Sequence, residues 1–247
     1  MAKVIAIVNQ KGGVGKTTTT INLDACFARK GERVLLIDMD SQGNMSRGLG
    51  CKVKRNQYTI CNALVDIMNE INVDPMKGIV PAKYDPLYIM PADKQQAPYL
   101  LRKYVNKQQW SFDHILIDCS PSLGILTQNA LVASNSVLIP VEPEFFAVEG
   151  LEQINSTIND VQRKMNPMLY MEGIVIVKKN NVVKDKRENA DKLRLRFGDK
   201  VYKTELPISV IPFAPFTPQS QNEFAFLLST FDFKVFRRMV SLSVFAE

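Results

Sequence analysis

Six short apolar runs recur along the chain, at residues 4–8, 34–37, 87–90, 115–117, 137–139 and 174–177. None alternates with polar positions, so each predicts a strand buried on both faces rather than one with a wet side. Between most of them the apolar positions shift to helical spacing, predicting helices at 17–30, near 59–70, 94–107, 123–133, 147–165 and 185–197. Gly31 stands where the first helix needs a left-handed C-terminal cap. Strand–helix alternation of this kind implies an α/β fold, a mostly parallel twisted sheet with helices on both faces. Residues 207–218 carry Pro207, Pro212, Pro215 and Pro218, and proline lacks the N–H that ladders need, so the stretch reads as an extended loop. With no repeat or long linker, the 247 residues read as one domain, 1–247.

Composition narrows the classes. No apolar run approaches the roughly 18–20 residues of a membrane span, and the first strand is too short for a signal-peptide core, so a cytoplasmic protein is expected. Cys26, Cys51, Cys61 and Cys119 lack metal-pair spacing and form no disulfide framework. The single histidine, His114, argues against a histidine-based metal site or triad and reads as a strand-edge residue.

The densest chemistry lies directly after the first strand: Gln10-Lys11-Gly12-Gly13-Val14-Gly15-Lys16-Thr17-Thr18. Glycines let a backbone wrap phosphate oxygens with its N–H groups turned inward, and the helix start adds partial positive charge. In such a loop Lys16 reaches the β/γ-phosphates and the Thr17 hydroxyl binds Mg²⁺. The ordinary pattern has Gly at position 10; here a second lysine, Lys11, precedes Lys16 by five residues. Two ammonium groups so close repel unless polyphosphate lies between them. Two further strands end in acids, Asp38-Met39-Asp40-Ser41-Gln42-Gly43-Asn44 and Asp118-Cys119-Ser120-Pro121-Ser122, at the sheet edge where open α/β folds bind ligands.

The two-lysine loop is the deviant Walker A motif, and the chain resembles the ParA/Soj ATPases of the wider ParA/MinD group. The likeness is strong over about 1–172, weaker over 173–210 and faint over 211–247. It includes Gln42-Gly43-Asn44, Asn129-Ala130-Leu131 and Pro140-Val141-Glu142-Pro143-Glu144. The resemblance implies ATP and Mg²⁺ as ligands, held by Lys11, Gly12, Gly13, Val14, Gly15, Lys16, Thr17 and Thr18. Thr17, Asp38 and Asp118 would serve the metal, and Lys11, Lys16 and Asp40 catalysis, with Asp40 orienting the attacking water. Lys11 would cross an ATP-sandwich homodimer to the partner's phosphates. Pro207 and Ser209 match the adenine pocket. The resemblance also implies weak intrinsic ATPase activity, non-specific DNA binding in partition of a plasmid or chromosome, nucleoid association and stimulation by a ParB-like centromere-binding partner.

Charge bears on the DNA expectation. Between Lys178 and Lys203 ten Lys/Arg face four acids, and this segment carries the whole formal excess of +6. It reads either as a polyanion site or as a solvated helix face. Two arginines through which the family touches DNA are replaced by Ile208 and Val182. Lys178, Lys179, Lys184, Lys186 and Arg187 lie nearby as substitutes, since non-specific phosphate contact needs charge more than geometry. A MinD-like membrane-cycling regulator and a nucleotide-gated regulatory DNA-binding protein with negligible turnover are the alternative readings.

Overall fold

The apolar runs assemble into one sheet in the computed structural model, which describes residues 1–28, 30–51, 53–54, 56–81, 88–91, 100–179 and 184–207. In chain order the strands are β1 (Lys3–Ile7), β2 (Val34–Met39), β3 (Val80–Pro81), β4 (Tyr88–Met90), β5 (His114–Cys119), β6 (Ser136–Val141), β7 (Tyr170–Lys179) and β8 (Val201–Pro207). The helices are α1 (Lys16–Ala28), α2 (Asn44–Gly48), α3 (Ile60–Met68), α4 (Leu101–Gln108), α5 (Ile125–Ala133), α6 (Ala147–Lys164) and α7 (Lys184–Phe197), with a 3₁₀ turn at Gly198–Lys200. The spatial order is β3-β4-β2-β5-β1-β6-β7-β8, parallel throughout except for β3 against β4.

Alternation within β1 shows why its run is wholly apolar. Val4, Ala6 and Val8 face a core shared with α3, α4, α5, α6 and α7, whereas Ile5 and Ile7 face α1 and α2. Each fully buried aliphatic side chain contributes on the order of 1.5–3 kcal/mol, so the central strands dominate the stability of the sheet. The connection from β1 leads to β2 on one side and that from β5 to β6 on the other. Neighbouring strands whose connections diverge open a crevice at their carboxyl ends.

Three elements were not expected: β3, α2 and β8. Pro207 closes β8 and does not belong to a loop; its missing N–H is tolerated because β8 is the outermost strand of the described sheet. β8 is seated by an aromatic ring. Tyr202 lies over Gly173 of β7, where an added Cβ would come within 2.4 Å of the ring. The Tyr202 hydroxyl donates to the Glu172 carbonyl at 3.0 Å. His114 does begin a strand, but an interior one: it is buried, stacked on Phe27 at 3.8 Å and 2.6 Å from Glu32. Residues 94–99 of the helix expected over 94–107, most of 207–218, Ile208, Ser209, Val182 and the divergent 211–247 lie outside the described residues. Among the described residues no helix is long and apolar enough to cross a membrane.

Candidate functional site

β1 delivers the chain to the sheet edge, and Asn9 fixes its exit. The Asn9 side chain donates to the Pro140 carbonyl at 2.7 Å and accepts from the Lys11 N–H at 2.9 Å. The loop then turns through Gly13 and Gly15, whose φ values of +71° and +86° are left-handed and cost other residues strain. Val14 is buried beneath it as an apolar anchor. Gly12 and Gly13 remain open to solvent, and α1 starts at Lys16 with its N-terminus aimed at the same space.

The two lysines occupy unlike environments. Lys16 is 7% exposed and donates to the Lys11 carbonyl at 3.1 Å. Burial pushes its pKa down, opposed by the charges of Asp118, Cys119 and Asp40. Lys11 is half-exposed, and its ammonium pairs with Glu144, just before α6.

Across the crevice, Asp38 of β2 and Asp118 of β5 lie opposite each other in the strand register. The Thr17 hydroxyl donates to Asp118 Oδ2 at 2.6 Å, while Asp118 Oδ1 is buried without a partner. Burial pushes the Asp118 pKa up to about 7; the Thr17 hydrogen bond and Lys16 oppose this, and Asp38 and Asp40 add to it. A hydroxyl beside a carboxylate with an unused oxygen suits a hard divalent cation that keeps most of its water and phosphate ligands. Among the described residues no cluster of three acids, cysteines or histidines forms an all-protein metal cage.

Asp38 is more heavily engaged than its sequence position suggests. Oδ2 accepts from the Ser46 N–H at 2.9 Å and hydroxyl at 2.6 Å, and Oδ1 accepts from the Asp40 N–H at 3.2 Å. It anchors α2 and the loop bearing Asp40, and with three of about four acceptor sites taken it keeps room for one further donor such as a metal-bound water. Asp40 accepts from the Gln42 N–H at 3.0 Å and from the Asn44 amide at 3.5 Å. Thr18 lies at the start of α1 beside Thr17. At the far side of the sheet Pro207 pairs in register with Lys179, at the carboxyl end of β7.

The basic residues separate into groups. Lys178 and Lys186 both reach Glu142, at 3.1 Å and 2.8 Å. Burial raises the Glu142 pKa, but the two ammonium hydrogen bonds outweigh it and hold the carboxyl below its usual value. Lys178 adopts φ 54°, unusual for a lysine. Arg187 faces solvent; the side chains of Lys179 and Lys184 are not among those described. Asn9, Ser46, Glu142 and Glu144 were not picked out as site residues from the sequence. The signal available for the last two was a pair of acids flanking Pro143 in a segment that follows an apolar run.

Between the loop and α6 lies a cavity of about 150 Å³, bordered by Asn9, Lys11, Val14, Glu142, Glu144 and Phe146. Phe145 and Phe146 beside it stand 77% and 71% exposed.

Comparison with known proteins gives the family and the fold. Residues 2–171 match the family model described as AAA domain. The chain is 39% identical over 224 residues to the sporulation initiation inhibitor protein Soj of Bacillus subtilis, covering 85% of this chain and 86% of that protein. It is 39% identical over 222 residues to the chromosome partitioning protein ParA of Caulobacter vibrioides, covering 84% and 81%. Among solved structures, a plasmid partition protein from Borrelia burgdorferi matches at 26% identity and TM-score 0.70, covering 94% of this chain and 99% of that one. Cobyrinic acid a,c-diamide synthase from Mycobacterium smegmatis, with bound ATP analogue and magnesium, matches at 28% identity and TM-score 0.77, covering 92% and 93%. With its two-lysine loop and a match spanning most of the chain, the protein belongs to the ParA/Soj family of ATPases.

Proposed function

We propose that this protein is a Mg²⁺–ATP-dependent switch that dimerises on ATP, binds DNA without sequence preference and drives plasmid or chromosome partition, with hydrolysis stimulated by a ParB-like partner. The observation that carries the reading is the pairing of Thr17 with Asp118 beside a buried Lys16, while Lys11 stands half-exposed on the outer side of the same loop. The relatives named for chromosome and plasmid partition support the biological assignment.

Phosphoryl transfer asks for positioning and charge neutralisation more than for covalent chemistry. The loop N–H groups and Lys16 would hold the β- and γ-phosphates. Thr17 and Asp118 would hold Mg²⁺, which would supply positive charge against the phosphates. Asp40, at the loop after β2, would orient the attacking water. Lys11 would leave Glu144 for the phosphates of a second copy, and the exposed Phe145 and Phe146 offer apolar area beside the loop for that copy to cover. Pro207 and Ser209 would border the base.

Fluorescence anisotropy on random duplex DNA tests the reading. With ATP and Mg²⁺ at low salt the expected result is salt-sensitive binding that ADP does not support; no binding under those conditions ends the DNA assignment. The synthase among the structural neighbours supports a second reading. ATP turnover that depends on cobyrinic acid and ignores DNA would favour it.

A further inference from the structure

The end of β6 carries two carboxylates separated by one proline, and their lysine partners all belong to the machinery proposed above. Glu144 pairs with Lys11. Glu142, only 9% exposed, takes Lys186 on Oε1 at 2.8 Å and Lys178 on Oε2 at 3.1 Å. The Glu144 N–H donates to the Glu142 carbonyl at 2.8 Å, a three-residue turn around Pro143 that fixes the two side chains relative to each other. The same strand end governs the Lys11 backbone, because the Pro140 carbonyl holds Asn9 and Asn9 holds the Lys11 N–H.

An ammonium held by carboxylate oxygens at about 2.7–3.1 Å is in the geometry that a phosphate oxygen would impose on it. We propose that Glu144 and Glu142 are built-in substitutes for two phosphates, one from a nucleoside triphosphate and one from a nucleic-acid backbone, each occupying its lysines until the ligand displaces it. This rests on the switch reading and adds its regulation. The Lys11–Glu144 pair is half-exposed and screened, so a polyphosphate exchanges for it readily. Glu142 is itself buried and holds two lysines at once, so Lys178 and Lys186 are withheld from nucleic acid more firmly, although Lys178 is 43% exposed. Because the proline turn joins the two carboxylates, drawing Lys11 away disturbs the segment that holds the other two lysines.

Glu142→Gln keeps the side-chain shape and removes the charge. Its binding to random duplex DNA without nucleotide, measured from 50 to 200 mM salt, is expected to exceed wild type by about tenfold at the low end. The slope of log affinity against log salt should steepen by about 1.8, roughly 0.9 for each further phosphate neutralised. Unchanged affinity and slope would overturn the proposal for Glu142. Glu144→Gln is expected to self-associate, by sedimentation velocity, at several-fold lower ATP than wild type; the same ATP requirement would overturn it for Glu144. Should Glu142→Gln fail to fold, Lys178→Gln and Lys186→Gln serve instead. They are expected to lose at least threefold more DNA affinity with ATP than without it, and equal losses would count against withholding. Failure of wild type to bind DNA with Mg²⁺–ATP would sink the switch reading alone if Glu142→Gln still binds more tightly than wild type. Wild-type binding with no increase in Glu142→Gln would sink the proposal alone.

Discussion

The two charged regions of the molecule treat their charges in opposite ways. Around the phosphate loop, Lys16 and Asp118 are buried with part of their bonding capacity unused: Asp118 Oδ1 has no partner and the Lys16 ammonium reaches only a carbonyl. In the region of β7 and α7, Lys178, Lys186, Arg194 and Arg196 are each paired with an acid of this chain, Glu142, Glu205 or Glu152. The first arrangement is incomplete until a ligand arrives. In the second these four cations are already paired, so a ligand must compete for them, whereas Arg187 beside them faces solvent. A net positive charge read from sequence therefore says less about DNA than the loop says about phosphate.

Four substitutions break or sharpen that contrast. Lys16→Ala removes a buried cation from the phosphate loop and should weaken ATP binding at least ~100-fold, about 2.7 kcal/mol, by isothermal titration calorimetry; a loss under fivefold would show that Lys16 is not the internal phosphate grip. Lys11→Ala should leave ATP affinity within about threefold yet reduce stimulated phosphate release ~100-fold or more, as expected for a cation supplied in trans. Equal loss of ATP affinity in both variants would contradict the two assigned roles.

The third concerns a carboxyl without a partner, on α1 about two turns beyond the phosphate loop. Asp24 is fully buried in α1, neither oxygen has a partner, and burial raises its pKa well above 3.8. A raised folded-state pKa means that its favourable protonated form is present below the ordinary carboxylate range. That contribution is lost as pH rises from there through the folded value. Asp24→Ala should therefore stabilise the protein by ~1–3 kcal/mol at pH 8 and by less at pH 5, read from urea melts. A gain independent of pH would mean that the carboxylate is not the cause. The smallest effect is expected at the exposed Arg196–Glu152 pair, where Glu152→Gln should change stability by under ~0.5 kcal/mol.

The sequence made the central sheet legible because strands buried on both faces leave continuous apolar runs. The phosphate loop was legible because its glycines and lysines are local. β8 was not: Val201-Tyr202-Lys203-Thr204-Glu205-Leu206 alternates, and its place depends on Gly173, some thirty residues earlier in the chain. α2 was missed because five residues form a helix there through a tertiary bond from Ser46 to Asp38. β3 is two residues long and exists by pairing with β4. The lysine partners of Glu142 lie 36 and 44 positions away, and no spacing rule connects them.

Gly173 has a consequence beyond packing. It sets the height at which the last described strand rides against its neighbour, and hence where Pro207 emerges opposite Lys179. A methyl group there would have to lift the tyrosine ring, and the outlet of the strand would move with it. The purine end of the proposed site is in this sense levelled from below, by the absence of one carbon atom near the start of the neighbouring strand.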